Sequence, residues 1–398
     1  MLPERPAPLV LVVAPAPMDG PFGTYAAVTA GGTQLLAAEL SQRLARVGAA
    51  VVALHAQAHD PDAAAFHWGR WFATAARVAL NDAERRGSHV DAMGYAGAGS
   101  LALLDDAGLE DLLAPTPGEV VGNNRYSADA FVVAGAGHAT EAPDGTTRRG
   151  PSLERALDRL EACPSDNTAV RCLESAGFRS RDLAETAWSR FDVDTPLDLA
   201  LLRLATRLPR TRAIDRALAG YLEMARLPGG GELLVPELDR IGAVIRDPNR
   251  QLVLAGRVPS SVLRELETEA ACRVRAFVEE RGMRSARGAG PPRSLLARWV
   301  EEHGAAKLVA ELANLGDAVI LDTRVVMAAL GGSAEMDAWP PSEERFASDF
   351  ADSGSIQTPW LREMVEAARQ SWVPFLLGGH SLVSDGIRLV LAAAWLGR

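Results

Sequence analysis

The stretch RFDVDTPLDL, residues 190–199, carries the strongest local structural signals in the chain. Apolar and acidic residues alternate over 191–194, as they do where a strand ends. Thr195 then has the character of a helix N-cap, and Pro196 occupies the first helical position, where its missing N–H costs nothing. Asp198 falls in the first turn, where the helix dipole favours negative charge. The stretch therefore predicts a strand end followed directly by a helix.

The same stretch places two carboxylates, Asp192 and Asp194, at a point where the chain leaves a sheet. Carboxylates in this position can hold a divalent cation such as Mg²⁺. On this interpretation both residues are metal ligands, and Asp194 takes part in catalysis. The alternative is a capped turn whose acidic side chains are solvated.

A second polar segment precedes a predicted strand at 130–134 and contains Asn123, Asn124, Arg125, Ser127 and Asp129. Adjacent amides and a guanidinium can bind a phosphate, a carboxylate or sugar hydroxyls. We therefore expect substrate binding by the two asparagines and the serine, with Arg125 and Asp129 acting in catalysis. The alternative is an asparagine-rich turn with an arginine on the surface.

Length and charge limit the classes of protein to consider. A chain of 398 residues is long enough for two domains. The formal net charge of -10 argues against a general nucleic-acid binder but allows a local nucleotide pocket. Lys307 is the single lysine among 41 basic residues, a bias typical of a GC-rich genome. Whether the chain forms a homo-oligomer is left open by these totals.

Cysteine usage and apolar runs bear on the compartment. The three cysteines, at 163, 172 and 272, lack metal-ligand or redox spacing, so we expect thiols in a reducing cytoplasm. Residues 1–18 show no charged-then-apolar signal layout, and no apolar run reaches the length of a membrane span. The sequence therefore predicts a cytoplasmic protein without a membrane partner.

The first half reads as the start of a doubly wound α/β sheet. Residues 9–14 are a continuous apolar run, as in a strand buried on both faces. A loop rich in Pro, Gly and Ala follows through Gly32, then a helix from Thr33 to Val47, then a strand at 49–54. This β–loop–α–β order predicts a first domain over residues 1–210.

Three segments of this half resemble the nucleotidyltransferases of the glycosyltransferase-A-like fold, especially molybdenum-cofactor and phospholactate guanylyltransferases. Residues 31–36 with their helix are similar to the family's "G-G-x-P-L-L" helix, and residues 99–104 resemble its "D-x-P-L-L" turn. Residues 191–199 are close to its "D-I-D-T-P-x-D-L" segment, which is the most specific of the three. The resemblance covers residues 9–205 and implies a Rossmann-like sheet, binding of a nucleotide and a phosphorylated small molecule, and substrate contacts at Gly99 and Ser100.

The sequence also departs from that family. No basic residue lies between Arg5 and Arg43, where the family's first loop carries an Arg and a Lys that grip the triphosphate. Prolines in the stretch 15–23 remove backbone N–H groups that a phosphate cradle needs. The stretch 97–100 stands in place of the family's metal-binding Asp. Two hypotheses follow: an active transferase, or a degenerate member that binds a metabolite or serves as a scaffold.

The second half predicts a helical connector over 211–250 and a second α/β domain over 251–398. In a predicted buried strand at 318–327, Asp322 and Arg324 need partners or a cleft, because burying an unpaired charge is costly. A mutual salt bridge between them is the alternative.

A turn near the C-terminus is the candidate site of the second domain. A strand, two glycines and a helix start surround Gly379, His380 and Ser381, an arrangement at which α/β sheets place ligands. These three residues are candidate substrate ligands, with His380 able to act as a general acid or base. The alternative is that His380 caps the helix and fills space. A third hypothesis for the whole protein places the chemistry in a cleft between the domains, with this turn facing the first.

Overall fold

The computed structural model describes residues 6–15, 24–55, 66–136, 140–141, 147–148, 150–281 and 292–396. The chain divides into two compact units. The first contains residues 1–19 and 30–193, and the second contains residues 20–29 and 194–398. Both units combine helices with a sheet, so the predicted α/β class is confirmed.

The first unit is built on a mixed sheet of six strands in the order β2-β1-β3-β5-β4-β8, in which only β5 is antiparallel to its neighbours. A separate pair, β6 and β7, is antiparallel. The elements are β1 Leu9–Ala14, α1 Tyr25–Arg46, β2 Ala50–His55, α2 Trp68–Arg85, β3 Ala92–Gly97, α3 Asp106–Leu112, β4 Glu119–Gly122, β5 Ala130–Ala134, β6 Thr140–Glu141, β7 Thr147–Arg148, α4 Leu153–Glu161, α5 Ala169–Ser175, β8 Arg179–Asp182 and α6 Ala187–Arg190.

Strand β1 shows why this sheet is covered on both faces. Leu9 and Leu11 belong to one apolar cluster, with side chains of α2, α4 and α5. Val10 and Val12 belong to a second cluster, with side chains of α1 and α3. Because successive side chains of a strand point to opposite faces, the continuous apolar run at 9–14 is explained by helices on both sides.

Helix α1 begins at Tyr25 and not at Thr33, so the predicted start of this helix is wrong; its residues 25–29 belong to the second unit. Gly31 and Gly32, expected in a loop, lie inside it, at a cost of about 1 kcal/mol each relative to alanine. The helix start is held from outside, since the Glu343 carboxylate accepts hydrogen bonds from the N–H groups of Tyr25 and Ala26, both at 2.8 Å. Most of the proline-bearing stretch 15–23 lies outside the described residues.

The second unit contains a parallel sheet of four strands in the order β10-β9-β11-β12. Its elements are α7 Pro196–Ala205, α8 Arg216–Met224, α9 Pro236–Ile245, β9 Gln251–Gly256, α10 Ser260–Glu269, β10 Arg273–Val278, α11 Leu295–His303, α12 Ala305–Asn314, β11 Ala318–Asp322, α13 Thr323–Leu330, α14 Ser342–Asp349, α15 Pro359–Gln370, β12 Phe375–Gly378, a π-helical turn Leu382–Gly386 and α16 Ile387–Ala394.

Two groups of helices pack in this second unit. Helices α7, α9 and α10 contact α16, whereas α11, α12 and α15 form a chain of contacts on the crossovers that lead to β11 and β12. Since crossovers between parallel strands are right-handed in nearly all proteins, we expect these groups on opposite faces of the sheet. The segment expected as a connector is helical, and its α9 packs on β9 and β11. Helix α7, expected in the first domain, packs against α14 and α16 of the second unit.

Strand β11 is shorter than predicted, because it ends at Asp322 and α13 starts at Thr323. Asp322 is the N-cap of α13, and its carboxylate accepts a hydrogen bond from the Arg324 N–H at 3.1 Å. The apolar residues 325–327, predicted as strand, are therefore helical. They are also buried.

The cysteine prediction is wrong for two of the three residues. Cys163 and Cys172 form a disulfide, since the turn between α4 and α5 brings their Cα atoms to 6.8 Å. Cys272 is free and buried.

No helix in the described part of the chain combines the length and apolarity needed to cross a bilayer.

Candidate functional site

Three segments selected from the sequence meet at the carboxyl end of β3. The turn 97–100 follows this strand directly. Its Gly97 N–H donates to the Asp129 carbonyl oxygen at 2.9 Å, and its Gly99 carbonyl oxygen accepts from the Val193 N–H at 3.2 Å. The turn is thus held between the 123–130 loop and the Asp192 segment. Residues that are far apart in sequence come together at one sheet edge of the first unit.

Gly99 approaches the Asp192 segment so closely that no side chain fits. A Cβ atom on Gly99 would stand 2.3 Å from the Val193 carbonyl oxygen and 2.9 Å from Oδ1 of Asp192. Ser100 is buried beside it, and its hydroxyl donates to the Gly97 carbonyl oxygen at 2.8 Å. Gly99 therefore sets the approach of the Asp192 carboxylate, while Ser100 closes the turn.

Asn123 organises the loop that carries Asp129. Its Oδ1 accepts from the N–H groups of Asp129 and Ala130, at 3.0 and 3.1 Å, and its Nδ2 donates to Oδ2 of Asp129 at 3.2 Å. Asn123 is 1% exposed. Its amide is used inside the loop, so it orients Asp129 and does not face a ligand.

Two other polar residues of this loop, Arg125 and Ser127, contact α5 and the turn before it. Arg125 pairs with Glu174, with Nη2 2.8 Å from Oε1 and Nε 3.1 Å from Oε2. The Ser127 hydroxyl donates to Oδ1 of Asn167 at 2.6 Å, and Oδ1 of Asn124 accepts from the Tyr126 N–H at 3.2 Å. An anion bound by Arg125 would therefore compete with the Glu174 carboxylate.

Tyr95 and Asp166 belong to the same edge and were missed from the sequence. The Tyr95 hydroxyl donates to Oδ2 of Asp166 at 3.0 Å. Burial raises the pKa of Tyr95, and the charges of Asp166 and Asp129 raise it further. The sequence gives little indication that these two residues belong to the candidate site, because Tyr95 lies two residues before the turn and Asp166 lies in an unrelated segment. Asp129, Asp166 and Asp192 make this edge acidic.

The two proposed metal ligands lie on either side of the division between the units. Asp192 belongs to the first unit and is partly buried. Asp194 is the first residue of the segment 194–398 of the second unit, and it is exposed. Within the described ranges, no three His, Cys, Asp or Glu side chains stand together as a ready metal site.

The helix predicted after them forms as expected, but the predicted strand end does not, because residues 191–194 lie outside any strand and follow the short helix α6. Thr195 is the N-cap with Pro196 following, and its Oγ1 accepts from the Asp198 N–H while the Asp198 carboxylate accepts from the Thr195 N–H at 2.9 Å. Asp198 is fully buried, and burial raises its pKa although it accepts hydrogen bonds from Ser381 and Thr195. This motif residue therefore has a structural role in the second unit.

The second unit contains a separate polar cluster at the carboxyl ends of β9, β11 and β12. Nε and Nη2 of Arg257 donate to the two carboxylate oxygens of Asp322, at 2.6 and 3.0 Å. Arg324 is paired in the same two-pronged way with Asp349. The prediction that Asp322 and Arg324 have partners is confirmed, but they are not each other's ion-pair partner. Burial acts to raise the pKa of Asp322, but the Arg257 guanidinium holds this pKa below its usual value.

The predicted glycine-histidine-serine turn joins this cluster. Gly379 lies beside Arg324, since a Cβ on the glycine would be 3.5 Å from Nε of the arginine. Burial, with the positive charges of Arg257 and Arg281, lowers the pKa of His380 to about 4. The Ser381 hydroxyl donates to Oδ1 of Asp198 at 2.6 Å and not to His380. The turn therefore contains a neutral histidine, and its serine is already engaged.

Comparison with known proteins identifies no family for this chain. No protein-family model matches the sequence, and no curated protein shows significant similarity to it. The resemblance to nucleotidyltransferases therefore rests on the three motif segments themselves.

Proposed function

We propose that the first unit binds a nucleotide with a divalent cation at the carboxyl end of β3, as the nucleotidyltransferases that it resembles do, and that the protein acts on a phosphorylated small molecule. The observation that carries this proposal is the contact between Gly99 and Asp192. It joins two of the three motif segments on which the resemblance rests, at the sheet edge where α/β proteins place ligands.

The residues at this edge fit a magnesium ion shared with a ligand. Mg²⁺ is commonly held by one or two carboxylates plus substrate phosphates, so a complete protein cage is not required. Asp192, whose carboxylate lies beside Gly99, and Asp129, whose main-chain carbonyl accepts from the Gly97 N–H, would hold the ion. Bound there, the cation would supply positive charge for the phosphates. That charge matters because no Arg or Lys occurs between Arg5 and Arg43.

Binding without turnover is the alternative function, and one observation favours it. Transfer of a nucleotidyl group needs fixed positive charge on the reacting phosphates. Arg125, the nearest substitute for the family's loop cations, is held by Glu174 at 2.8 Å. Release of pyrophosphate from a nucleoside triphosphate in the presence of phosphorylated acceptors separates the two functions, since only a transferase produces it.

The test of the main proposal is thermal unfolding of the full chain with each nucleoside triphosphate and a panel of nucleoside-diphosphate sugars, with and without Mg²⁺ or Mn²⁺. A ligand that binds only the native state stabilises it by mass action, by about 2.7 kcal/mol at a ligand concentration of 100 Kd. The midpoint of thermal unfolding rises as a result. We expect a metal-dependent shift for one nucleotide.

Two variants locate the binding site. Asp192→Asn should abolish the metal-dependent part of the shift, whereas Asp82→Asn, an exposed acidic residue on α2, should leave it unchanged. No shift with any nucleotide, in either the presence or the absence of metal, would refute the proposal.

A further inference from the structure

The disulfide between Cys163 and Cys172 closes a short segment of the first unit. Cys163 follows the end of α4, and Cys172 lies on α5, 9 residues later. Residues 163–175, which run from the first cysteine to the end of α5, are termed the clasped segment. The cross-link therefore ties α5, and the turn before it, to the end of α4.

The turn inside the clasped segment contacts two residues of the candidate site. Oδ2 of Asp166 accepts a hydrogen bond from the Tyr95 hydroxyl at 3.0 Å, and Oδ1 of Asn167 accepts one from the Ser127 hydroxyl at 2.6 Å. Tyr95 lies on β3, just before the turn 97–100, and Ser127 lies in the 123–130 loop. The cross-linked turn therefore contacts both the strand and the loop that form the site.

Helix α5 contacts the same site through Glu174. Nη2 of Arg125 lies 2.8 Å from Oε1 of this carboxylate, and Nε of Arg125 donates to Oε2 at 3.1 Å. The Ser180 hydroxyl on β8 also donates to Oε1 of Glu174, and so orients the carboxylate while α5 is in place. Glu174 follows Cys172 on the same short helix. The position of the cross-linked helix therefore decides whether Arg125 stays paired.

The cross-link is an important restraint on the clasped segment. Residues 164–168 are partly exposed, and residues 165–168 are polar. Helix α5 has 7 residues, too few to be stable without tertiary packing, and its buried side chains are Ala169, Val170 and Leu173. Segments with a small buried apolar surface open locally more easily than the core does. A covalent cross-link opposes such opening, because the opened chain then gains less conformational entropy.

We propose that Cys163 and Cys172 form a reversible redox-modification site, whose reduction by a dithiol loosens the clasped segment and releases Arg125 from Glu174 to bind an anionic group of the ligand. The gain in ligand binding rests on the nucleotide site proposed for the first unit, whereas the loosening of the segment does not.

Reduction proceeds by thiol–disulfide exchange at the more accessible sulfur. Cys163 is fully buried and Cys172 is partly exposed, so a thiolate of the dithiol attacks Sγ of Cys172. The bond between the two protein sulfurs breaks, and Cys163 leaves as a thiolate that takes up a proton. The second thiol of the dithiol then attacks the mixed disulfide and releases Cys172, which is protonated in turn. The protein gains two electrons and two protons, and the dithiol is oxidised to its disulfide.

Alkylation and hydrogen exchange of the full chain test the redox site without any nucleotide. The oxidised protein, denatured without reductant, should take up one alkyl group, at Cys272, whereas protein reduced under native conditions with dithiothreitol should take up three. Amide exchange over the clasped segment should become about tenfold faster on reduction, which is part of the loop-closure effect of such a cross-link. Exchange over α10 of the second unit should not change.

Two cysteine variants provide the controls. The double variant Cys163→Ser/Cys172→Ser should exchange over the clasped segment as the reduced wild type does, and dithiothreitol should not change it further. Cys272→Ala keeps the cross-link, so it should respond to dithiothreitol as the wild type does.

Titration calorimetry with each ribonucleoside triphosphate and Mg²⁺ tests the release of Arg125. We expect the reduced protein to bind about two- to fivefold more tightly than the oxidised protein, which corresponds to the usual strength of a partly exposed ion pair. Oxidised Glu174→Gln should bind as the reduced wild type does, because its Arg125 is already released. Arg125→Gln should bind equally in the oxidised and reduced forms.

Three alkylated cysteines in the oxidised protein, resistance of the cross-link to dithiothreitol under native conditions, or equal exchange of both forms over the clasped segment would overturn the proposal. Faster exchange on reduction, with no nucleotide bound by either form, would refute the nucleotide site and leave the redox site standing. Nucleotide binding of equal strength in both forms would overturn the release of Arg125.

Discussion

Gly99 and Val193 approach each other more closely than any residue with a side chain could, with 2.3 Å between the position of a Cβ on Gly99 and the Val193 carbonyl oxygen. The contact joins the turn after β3 to the segment that carries Asp192. Because the neighbour is backbone and not a flexible side chain, the overlap cannot be relieved by a rotamer change.

We expect Gly99→Ala to destabilise the first unit by about 1–3 kcal/mol, the usual cost of forcing extra volume into a packed site. Urea unfolding followed by circular dichroism measures this loss. Gly97→Ala is the matched control in the same turn, since its Cβ would meet its nearest neighbour at an ordinary 3.5 Å. Equal stability of the two variants would contradict the close packing at Gly99.

Asn123→Ala should destabilise the loop between β4 and β5. The substitution removes three hydrogen bonds and leaves the Ala130 N–H buried without its acceptor. We expect a loss of about 2–3 kcal/mol in urea unfolding. Asn124→Ala, which removes one bond to the Tyr126 N–H, should cost clearly less. A larger loss at Asn124 than at Asn123 would show that the loop is not closed by the buried amide.

Removing Asp349 should strongly destabilise the second unit. Arg324 would then be a buried, uncompensated charge, so we expect Asp349→Ala to cost about 3–5 kcal/mol. The control is Glu302→Gln, which breaks an exposed pair with Arg298 on α11 and should change the unfolding midpoint little. Near-wild-type stability of Asp349→Ala would mean that Arg324 does not depend on this carboxylate.

His380 makes stability depend on pH in the acid range. Its pKa in the folded protein is about 4, against an ordinary value of 6.5, so the unfolded chain takes up a proton that the folded chain does not. Stability therefore falls as pH decreases from 6.5 to 4, by up to roughly 3 kcal/mol from this residue.

His380→Gln lacks this contribution, so its stability should decline less than that of the wild type between pH 6.5 and 4. Urea unfolding of both proteins at several pH values measures the difference. Parallel curves for the two proteins would show that the histidine titrates normally in the folded state.

Features governed by neighbouring residues could be predicted from the sequence. The strand at 9–14 and the N-cap at Thr195 with Pro196 after it follow from periodicity and capping rules that act over a few positions. The selection of the 97–100, 123–130 and 192–194 segments as candidate site segments also came from local composition and motif spacing.

The tertiary structure decided what each of these residues contacts. Helix α1 starts early because Glu343, 318 residues away from Tyr25, accepts its first N–H. Asp322 pairs with Arg257 and not with Arg324, and Arg125 pairs with Glu174, through partners that no local pattern indicates. Hydrogen bonds and ion pairs depend on distances of a few ångströms, and such distances between remote residues are set only when the sheets and helices pack. The sequence by itself therefore determined where the strand at 9–14, the Thr195 cap and the polar segments occur, whereas packing determined which partners satisfy those polar groups.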